Sequence, residues 1–118
     1  MARYVDGFVL PVPKKKLDAY RRIAQKAGKI WKEHGALEYL ECVGDDLKVK
    51  FGRPFTRVVK PKAGETVVFS WIVFKSRAHR DRVNARVMKD PRLKMDEKSM
   101  PFDIKRMVYG GFTVLVDL

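Results

Sequence analysis

The sequence predicts a single α+β domain whose elements follow the order β-α-β-β-α-β. Three observations support this fold. Two stretches place apolar residues at three- and four-residue steps, which is typical of an amphipathic helix. Four other stretches are rich in β-branched and aromatic residues and are bounded by proline, glycine or aspartate. The 118 residues are the length of one domain, so we expect one unit over residues 1–118.

The first strand and the first helix are divided by two prolines. Residues 4–11 are rich in Val, Phe and Leu, and Pro11 and Pro13 cannot continue a ladder of backbone hydrogen bonds. From residue 14 the apolar residues recur at helical spacing. Gly35 suits the left-handed residue that follows a helix. We therefore predict the first strand over residues 4–11 and the first helix over residues 14–34.

A long basic connection follows the second strand. Residues 36–47 return to a period near two and predict that strand. The next stretch, residues 48–65, contains glycines, prolines and six basic residues. A connection of this length in a small domain is often functional, although the sequence gives no role for its basic part, residues 48–62. Within it, residues 55–59 predict a further short strand.

The third strand is the most apolar part of the chain. Residues 66–74 contain no charged residue, so this strand should be central in the sheet. Ser76 is expected to cap the second helix, and Asp90 should end it because it precedes a proline. Residues 105–118 predict the last strand. A Gly-Gly pair inside it indicates a bulge or a place where a ligand or partner backbone comes close, and we expect the bulge.

This order is that of the ferredoxin-like fold, with one antiparallel sheet and both helices on one face. The third strand is mainly apolar on both of its faces, Val67, Phe69, Trp71 and Val73 on one and Val68, Ser70, Ile72 and Phe74 on the other. Helices can cover only one face. A monomer would therefore expose more contiguous apolar surface than soluble proteins usually carry.

Two partners could cover the second face. One is a second copy of the chain, which gives a homodimeric α+β barrel. The other is single-stranded RNA stacked on aromatic side chains. Tyr109-Gly110-Gly111-Phe112 is similar to an RNA-binding signature but falls on the fourth strand, and the third strand lacks the required cations. We predict the homodimer, and nucleic-acid binding through the net charge of +12 that is at most weak and non-specific.

Five segments of the chain together carry a family resemblance: residues 4–13, 33–39, 69–81, 100–103 and 106–112. They closely resemble the YbaA-like family of bacterial proteins. The resemblance covers nearly the whole chain and implies a member of the dimeric α+β barrel superfamily without an assigned biochemical role. Enzymes of that superfamily mostly bind an aromatic or polyketide-like substrate between sheet and helices, some without a cofactor.

Three residues are the candidates for catalysis. Asp6 lies in an apolar strand, where a carboxylate is costly to bury unless it is paired, and pairing with an arginine is the alternative to a catalytic role. His34 and His79, on the two helices, are the only imidazoles and the natural bases near neutral pH. Structural roles stay open for both: His34 as the end of a core face, His79 as a hydrogen-bonded rim residue.

The candidates for ligand binding are mostly aromatic residues, for which core packing is the alternative explanation. They are Tyr4, Trp31, Ser70, Trp71, Tyr109 and Phe112. The single cysteine, Cys42, and the absence of a Cys/His cluster argue against a zinc site, and no glycine-rich phosphate loop is present. We expect neither a metal nor a cofactor.

The sequence therefore predicts a cytoplasmic homodimer without membrane contact that binds a small molecule between sheet and helices. The enzymatic reading is cofactor-independent oxygenase or isomerase chemistry. A non-catalytic ligand-binding or stress-associated module is the alternative. RNA binding through the basic surface is the lower alternative.

Overall fold

The computed structural model describes residues 2–94 and 97–118. The predicted order of strands and main helices is confirmed, with one additional short helix. The strands and α-helices are β1 (Tyr4–Pro13), α1 (Leu17–Glu33), β2 (Glu38–Val43), α2 (Phe55–Val59), β3 (Glu65–Phe74), α3 (Arg77–Lys89) and β4 (Val108–Thr113). Short 3-10 helices occupy Lys14–Lys16, Pro91–Leu93, Glu97–Ser99 and Ile104–Arg106.

The four strands form one antiparallel sheet in the order β2-β3-β1-β4. β1 and β3 pair along their whole length, from Tyr4 opposite Phe74 to Pro13 opposite Glu65. The uncharged third strand is central, as predicted, because a strand without charge can be paired on both edges. This is the ferredoxin-like α+β arrangement.

The pairing register sorts the side chains of the sheet onto two faces. One face, the helix side, lies under α1 and α3 and supplies core residues, among them Leu10, Val12, Val68, Ile72 and Phe74. The opposite face, the open face, presents Val5, Val9, Leu40, Cys42, Phe69, Trp71, Val108 and Phe112. Both faces of the central strands are therefore apolar.

The two main helices cover the helix side. α1 buries Tyr20, Ala24 and Ile30 on its inner stripe. α3 begins after Ser76, whose hydroxyl accepts a hydrogen bond from the backbone N–H of His79 at 3.1 Å. This is the cap that the sequence predicts, and it satisfies one of the free N–H groups at the start of the helix.

The short strand predicted at residues 55–59 is wrong, because this segment is helix α2. The physical reason is its spacing. Phe55 and Val59 are four residues apart and share one helical face. That face lies against the sheet: Val59 is buried, and the Phe55 ring is 5.8 Å from the ring of Phe69 on the open face. The basic connection therefore covers one end of the open face.

The ends of the strands also differ from the prediction. β1 continues through both prolines because β4 pairs only with its first six residues, Tyr4 to Val9. Beyond Val9 that edge of β1 is open, so a missing N–H costs no ladder bond. β2 and β4 are shorter than the predicted 36–47 and 105–118.

The predicted bulge at Gly110-Gly111 is wrong. The ladder between β1 and β4 runs through both glycines without an extra residue. Glycine is needed here for space, since a Cβ at Gly111 would lie 2.7 Å from Cε2 of the Tyr4 ring. Gly111 therefore marks a close approach of the chain's own Tyr4 side chain, whereas the second reading of the sequence was the approach of a ligand or a partner backbone.

Gly28→Ala tests the close contact between α1 and β2. A Cβ at residue 28 would lie 2.7 Å from the ring of Tyr39. We expect the free energy of unfolding, measured with urea, to fall by about 1–3 kcal/mol through overpacking. In a Tyr39→Ala background the same change should be neutral or stabilising, since alanine favours a helix over glycine by about 1 kcal/mol. An equal loss in both backgrounds would contradict this contact.

Candidate functional site

A cavity of about 750 Å³ lies between the helix side of the sheet and the helices. All four strands, α1, α3 and residues of the 90–107 segment contribute to its wall. Its apolar lining includes Phe8, Leu10, Trp31, Ile72, Val87, Phe102 and Met107. This size and this mainly apolar lining are typical of small-molecule sites.

The first polar group on the wall centres on Asp6, one of the predicted site residues. Its carboxylate accepts a hydrogen bond from Arg80 Nη1 at 2.7 Å and one from Asn84 Nδ2 at 3.2 Å. The Asn84 carbonyl in turn accepts from Trp31 Nε1 at 3.0 Å. This chain of contacts ties β1, α1 and α3 together. Asp6 is thus the arginine-paired acid that the sequence left open as an alternative.

Arg80 is held from several sides. Its Nε donates to Asp81 at 2.8 Å, and its guanidinium lies 4.7 Å from the centre of the Tyr4 ring. Burial lowers its pKa, but the charge of Asp6 and the contact with Asp81 outweigh this and leave the pKa raised. Tyr4 therefore supports the ion pair from beside the cavity and does not line it.

The second polar group on the wall centres on Glu41 of β2. Its two carboxylate oxygens accept hydrogen bonds from the hydroxyls of Tyr20 and Tyr39, each at 2.7 Å. Burial, and next the charge of Glu41, raise the pKa of both tyrosines. Both hydroxyls therefore stay protonated and donate. The sequence analysis missed this cluster, although the period of two in β2 places Glu41 on the same face as Tyr39.

Three other predicted ligand-binding residues lie on the cavity wall. They are Trp31, Ser70 and Tyr109. Ser70 is buried on this wall. The Tyr109 ring stacks on Phe8 with centroids 5.7 Å apart. The sheet therefore places two hydroxyl-bearing side chains, Ser70 and Tyr109, on the cavity wall.

Trp71 and Phe112 lie elsewhere. Trp71 pairs with Gly7 and Phe112 with Val5, which puts both side chains on the open face. The structure therefore does not bring them to the cavity with Trp31 and Tyr109. The reason is the period of two in a strand, which sends neighbouring aromatic residues to opposite faces.

His34 lies at the end of α1, outside the cavity wall. Its Nε2 is 2.9 Å from Oδ2 of Asp90, and Arg92 Nη2 donates to the same carboxylate at 2.7 Å. These two contacts, Arg92 first, hold the pKa of Asp90 well below its usual range. The contact between His34 and Asp90 links the C-terminal end of α1 to that of α3. His34 thus has a carboxylate partner outside the cavity, whereas its structural alternative in the sequence was a ring that ends a core face.

His79 also lies outside the cavity wall. Its Nδ1 accepts the backbone N–H of Lys75 at 3.0 Å, and its ring meets Phe74 edge to face. Burial, and next the charge of Lys75, lower the pKa of His79, so the ring is neutral at neutral pH. The structure does not bring the two imidazoles to Asp6, and catalytic roles for the three residues stay predictions.

A second, more open space of about 930 Å³ runs between α1 and β2. Tyr20, Tyr39 and Glu41 line both this groove and the cavity. The Glu41 cluster therefore stands between the two spaces. Among residues 2–94 and 97–118 no cluster of three His, Cys, Asp or Glu side chains could hold a metal ion, and none of the helices there is long and apolar enough to span a membrane.

Comparison with known sequences decides the family. The family described as "Protein of unknown function (DUF1428)" matches residues 3–104. The chain belongs to this family. It is similar to "Uncharacterized protein YbaA" of Escherichia coli strain K12 and of Shigella flexneri, with 49% identity over 115 residues and 98% of each chain covered. The family predicted from the sequence is therefore confirmed.

A solved structure shows the same fold. The chain is similar to a dimeric ferredoxin-like protein from an uncultured marine organism, over 100% of both chains with a TM-score of 0.59. At 12% sequence identity this likeness shows the fold alone. The predicted ferredoxin-like α+β class is confirmed.

Removing one partner of the Asp6–Arg80 ion pair should be strongly destabilising. The Asp6 side chain is 5% exposed and that of Arg80 17%, so Arg80→Met leaves a buried carboxylate without its counter-ion, and Asp6→Asn leaves the guanidinium only its exposed partner Asp81. Asp6→Asn and Arg80→Met should each lower the free energy of unfolding by about 3–5 kcal/mol in urea denaturation. The double variant should lose less than the sum.

The matched control is Asp81→Asn. Asp81 contacts the same guanidinium from a side chain that is 61% exposed, so its loss should cost less than about 1 kcal/mol. Equal losses in the free energy of unfolding for Asp6→Asn and Asp81→Asn would show that burial does not determine how much these contacts contribute to stability.

Proposed function

We propose that this protein is a homodimer that binds a small, mainly apolar molecule in the cavity between sheet and helices. The observation that carries the proposal is the cavity itself. Exposed residues on its wall, among them Met88 and Tyr109, leave it open to solvent, so a small molecule can enter. A volume of about 750 Å³ with a few convergent polar groups is what a binding site requires.

The polar groups on the wall support recognition of one end of a ligand. Ser70 of β3 and Tyr109 of the edge strand β4 bring hydroxyl groups to the wall. Asp6 and Arg80 neutralise each other at 2.7 Å. The ligand would therefore place its apolar body among the aromatic residues and hydrogen-bond to the sheet at a few points.

Oxygenase or isomerase chemistry would need a proton acceptor beside the ligand. The described part of the wall contains no imidazole, so a carboxylate would have to serve. Asp6 is already held by Arg80 and Asn84. Each oxygen of Glu41 already accepts one hydrogen bond, and Asp90 is already ion-paired. Ligand binding needs no such acceptor, so it is the function that the geometry supports best.

The open face supports the homodimer. Its side chains include Leu40, Phe69, Val108 and Phe112, which are 39%, 43%, 52% and 63% exposed. α2 covers only one end of this face. A self-complementary contact with a second copy would bury the rest. The ferredoxin-like protein of similar fold is itself described as dimeric, which adds support.

The charge distribution favours a second copy as the occupant. Two chains with a net charge of +12 repel each other over most of their surfaces. In the pairing register the centre of the open face carries apolar residues from all four strands. Repulsion is lowest there, and an RNA platform would need cations at that position.

We also propose a cytoplasmic location. Cys42 is the only cysteine and is free, so the fold depends on no disulfide. This usage is typical of proteins in a reducing compartment.

Light scattering should give twice the chain mass of 13.7 kDa. Phe112→Lys should produce a folded monomer, because residue 112 is largely exposed within one chain and a buried lysine would oppose association. Met88→Lys is the matched control, since Met88 is 70% exposed on α3. A monomeric wild type, or equal dissociation of both variants, would contradict the open face as the interface.

Filling the cavity should abolish binding of a neutral probe. Ala27 of α1 lines the cavity and Ala85 of α3 is exposed. We expect 3-phenylpropan-1-ol to bind the wild type in calorimetry, Ala27→Phe to lose at least tenfold in affinity and Ala85→Phe to keep it. No binding to the wild type, or an equal loss in both variants, would contradict the proposed site.

A further inference from the structure

Two of the carboxylates on the cavity wall, Asp6 and Glu41, differ in how their charge is balanced. Asp6 forms an ion pair with Arg80 at 2.7 Å. Glu41 accepts only the two tyrosine hydroxyls, and within residues 2–94 and 97–118 no Lys, Arg or His forms an ion pair with it. Hydroxyl groups solvate a carboxylate but do not neutralise it. Glu41 therefore gives the cavity a carboxylate that no described cation contacts at ion-pair distance, while Arg21, Lys29 and Lys32 line the groove on its other side.

The position of Glu41 makes this charge available to a ligand. The residue is half-buried on the helix side of β2 and lines both the cavity and the groove beside α1. Each of its oxygens accepts one hydrogen bond. A carboxylate oxygen has about two acceptor sites, so each oxygen can accept one more donor.

The surroundings suit an apolar cation. The rings of Trp31 and Tyr39 lie 6.2 Å apart, and the rings of Tyr20 and Phe102 lie 5.5 Å apart. Aromatic walls attract a cation through the faces of their rings and also bury an apolar chain. These rings therefore provide surfaces beside Glu41 for both the cationic group and the apolar body of a ligand.

The other charged groups of the wall do not reverse this preference. Arg80 is engaged by Asp6 and Asp81, and Asp90 by His34 and Arg92. Lys94 is exposed. A ligand with a carboxylate would meet Glu41 as a like charge, whereas an ammonium group would balance it.

We propose that the ligand of the cavity is a cationic amine with an aromatic or aliphatic body, and that its ammonium group donates hydrogen bonds to Glu41. This inference rests on the proposed binding function and names its ligand class. Tyr20 and Tyr39 act as positioning residues that hold the carboxylate towards the site. The aromatic side chains enclose the body of the amine.

The test uses three probes that share one body: 3-phenylpropylamine, 3-phenylpropan-1-ol and 3-phenylpropionate. In calorimetry at neutral pH the amine should bind the wild type about tenfold or more tightly than the alcohol, and the acid should bind most weakly. Glu41→Gln should lose about tenfold for the amine and little for the alcohol. Unchanged binding of the alcohol shows that the variant is folded.

The controls separate this inference from the proposed function. Asp46→Asn changes an exposed carboxylate three residues beyond β2 and should leave all three affinities unchanged. If the alcohol binds and the amine gains nothing, the amine inference is wrong and the binding function stands. A preference for the amine that survives Glu41→Gln would remove Glu41 from the site. If none of the three probes binds, both proposals are contradicted.

Discussion

The structure depends on one constraint: its two central strands, β1 and β3, are apolar on both faces, and the helices α1 and α3 cover only one of these faces. A strand cannot rotate within its ladder, because the hydrogen bonds to both neighbours fix which residues point to which side. In β3 the result is Val68 and Ile72 beneath the helices and Phe69 and Trp71 on the open face. The helix side can hold a cavity, and the open face requires a cover. The two proposed properties of the protein follow from this division.

Polar groups on the helix side determine how the helices sit on the sheet. Burying Asp6 requires compensation, and α3 provides it through Arg80 and Asn84, four residues apart on one helical face. Asn84 then reaches Trp31 of α1. These contacts gather at the β1 side of the cavity. At the β2 side, Glu41 is stabilised only by the hydroxyl groups of Tyr20 and Tyr39. This side of the cavity therefore presents a carboxylate to which a ligand can donate hydrogen bonds.

The sequence was sufficient for the order of the elements, because period and capping are local properties. Uncharged residues 66–74 predicted the central strand, and Ser76 predicted the start of α3. The short segment 55–59 was misread because five residues satisfy either period, and only the sheet beneath them favours the helix. Gly110-Gly111 was assigned a bulge because the Tyr4 ring that requires the space is more than 100 residues away in the chain.

The site was only partly predictable, because it depends on pairs of residues that are distant in sequence. Asp6 was recognisable as an acid in an apolar strand, but its partner Arg80 was not. Glu41 was overlooked although it shares a face with Tyr39.

Methyl-resolved NMR on a mixed-label sample tests the division between the two faces most directly. The account predicts intermolecular contacts between chains at the methyl groups of Leu40 and Val108. It also predicts that 3-phenylpropan-1-ol changes the chemical shift of the Ile72 methyl groups. Intermolecular contacts at Ile72, or ligand shifts confined to Leu40 and Val108, would contradict it.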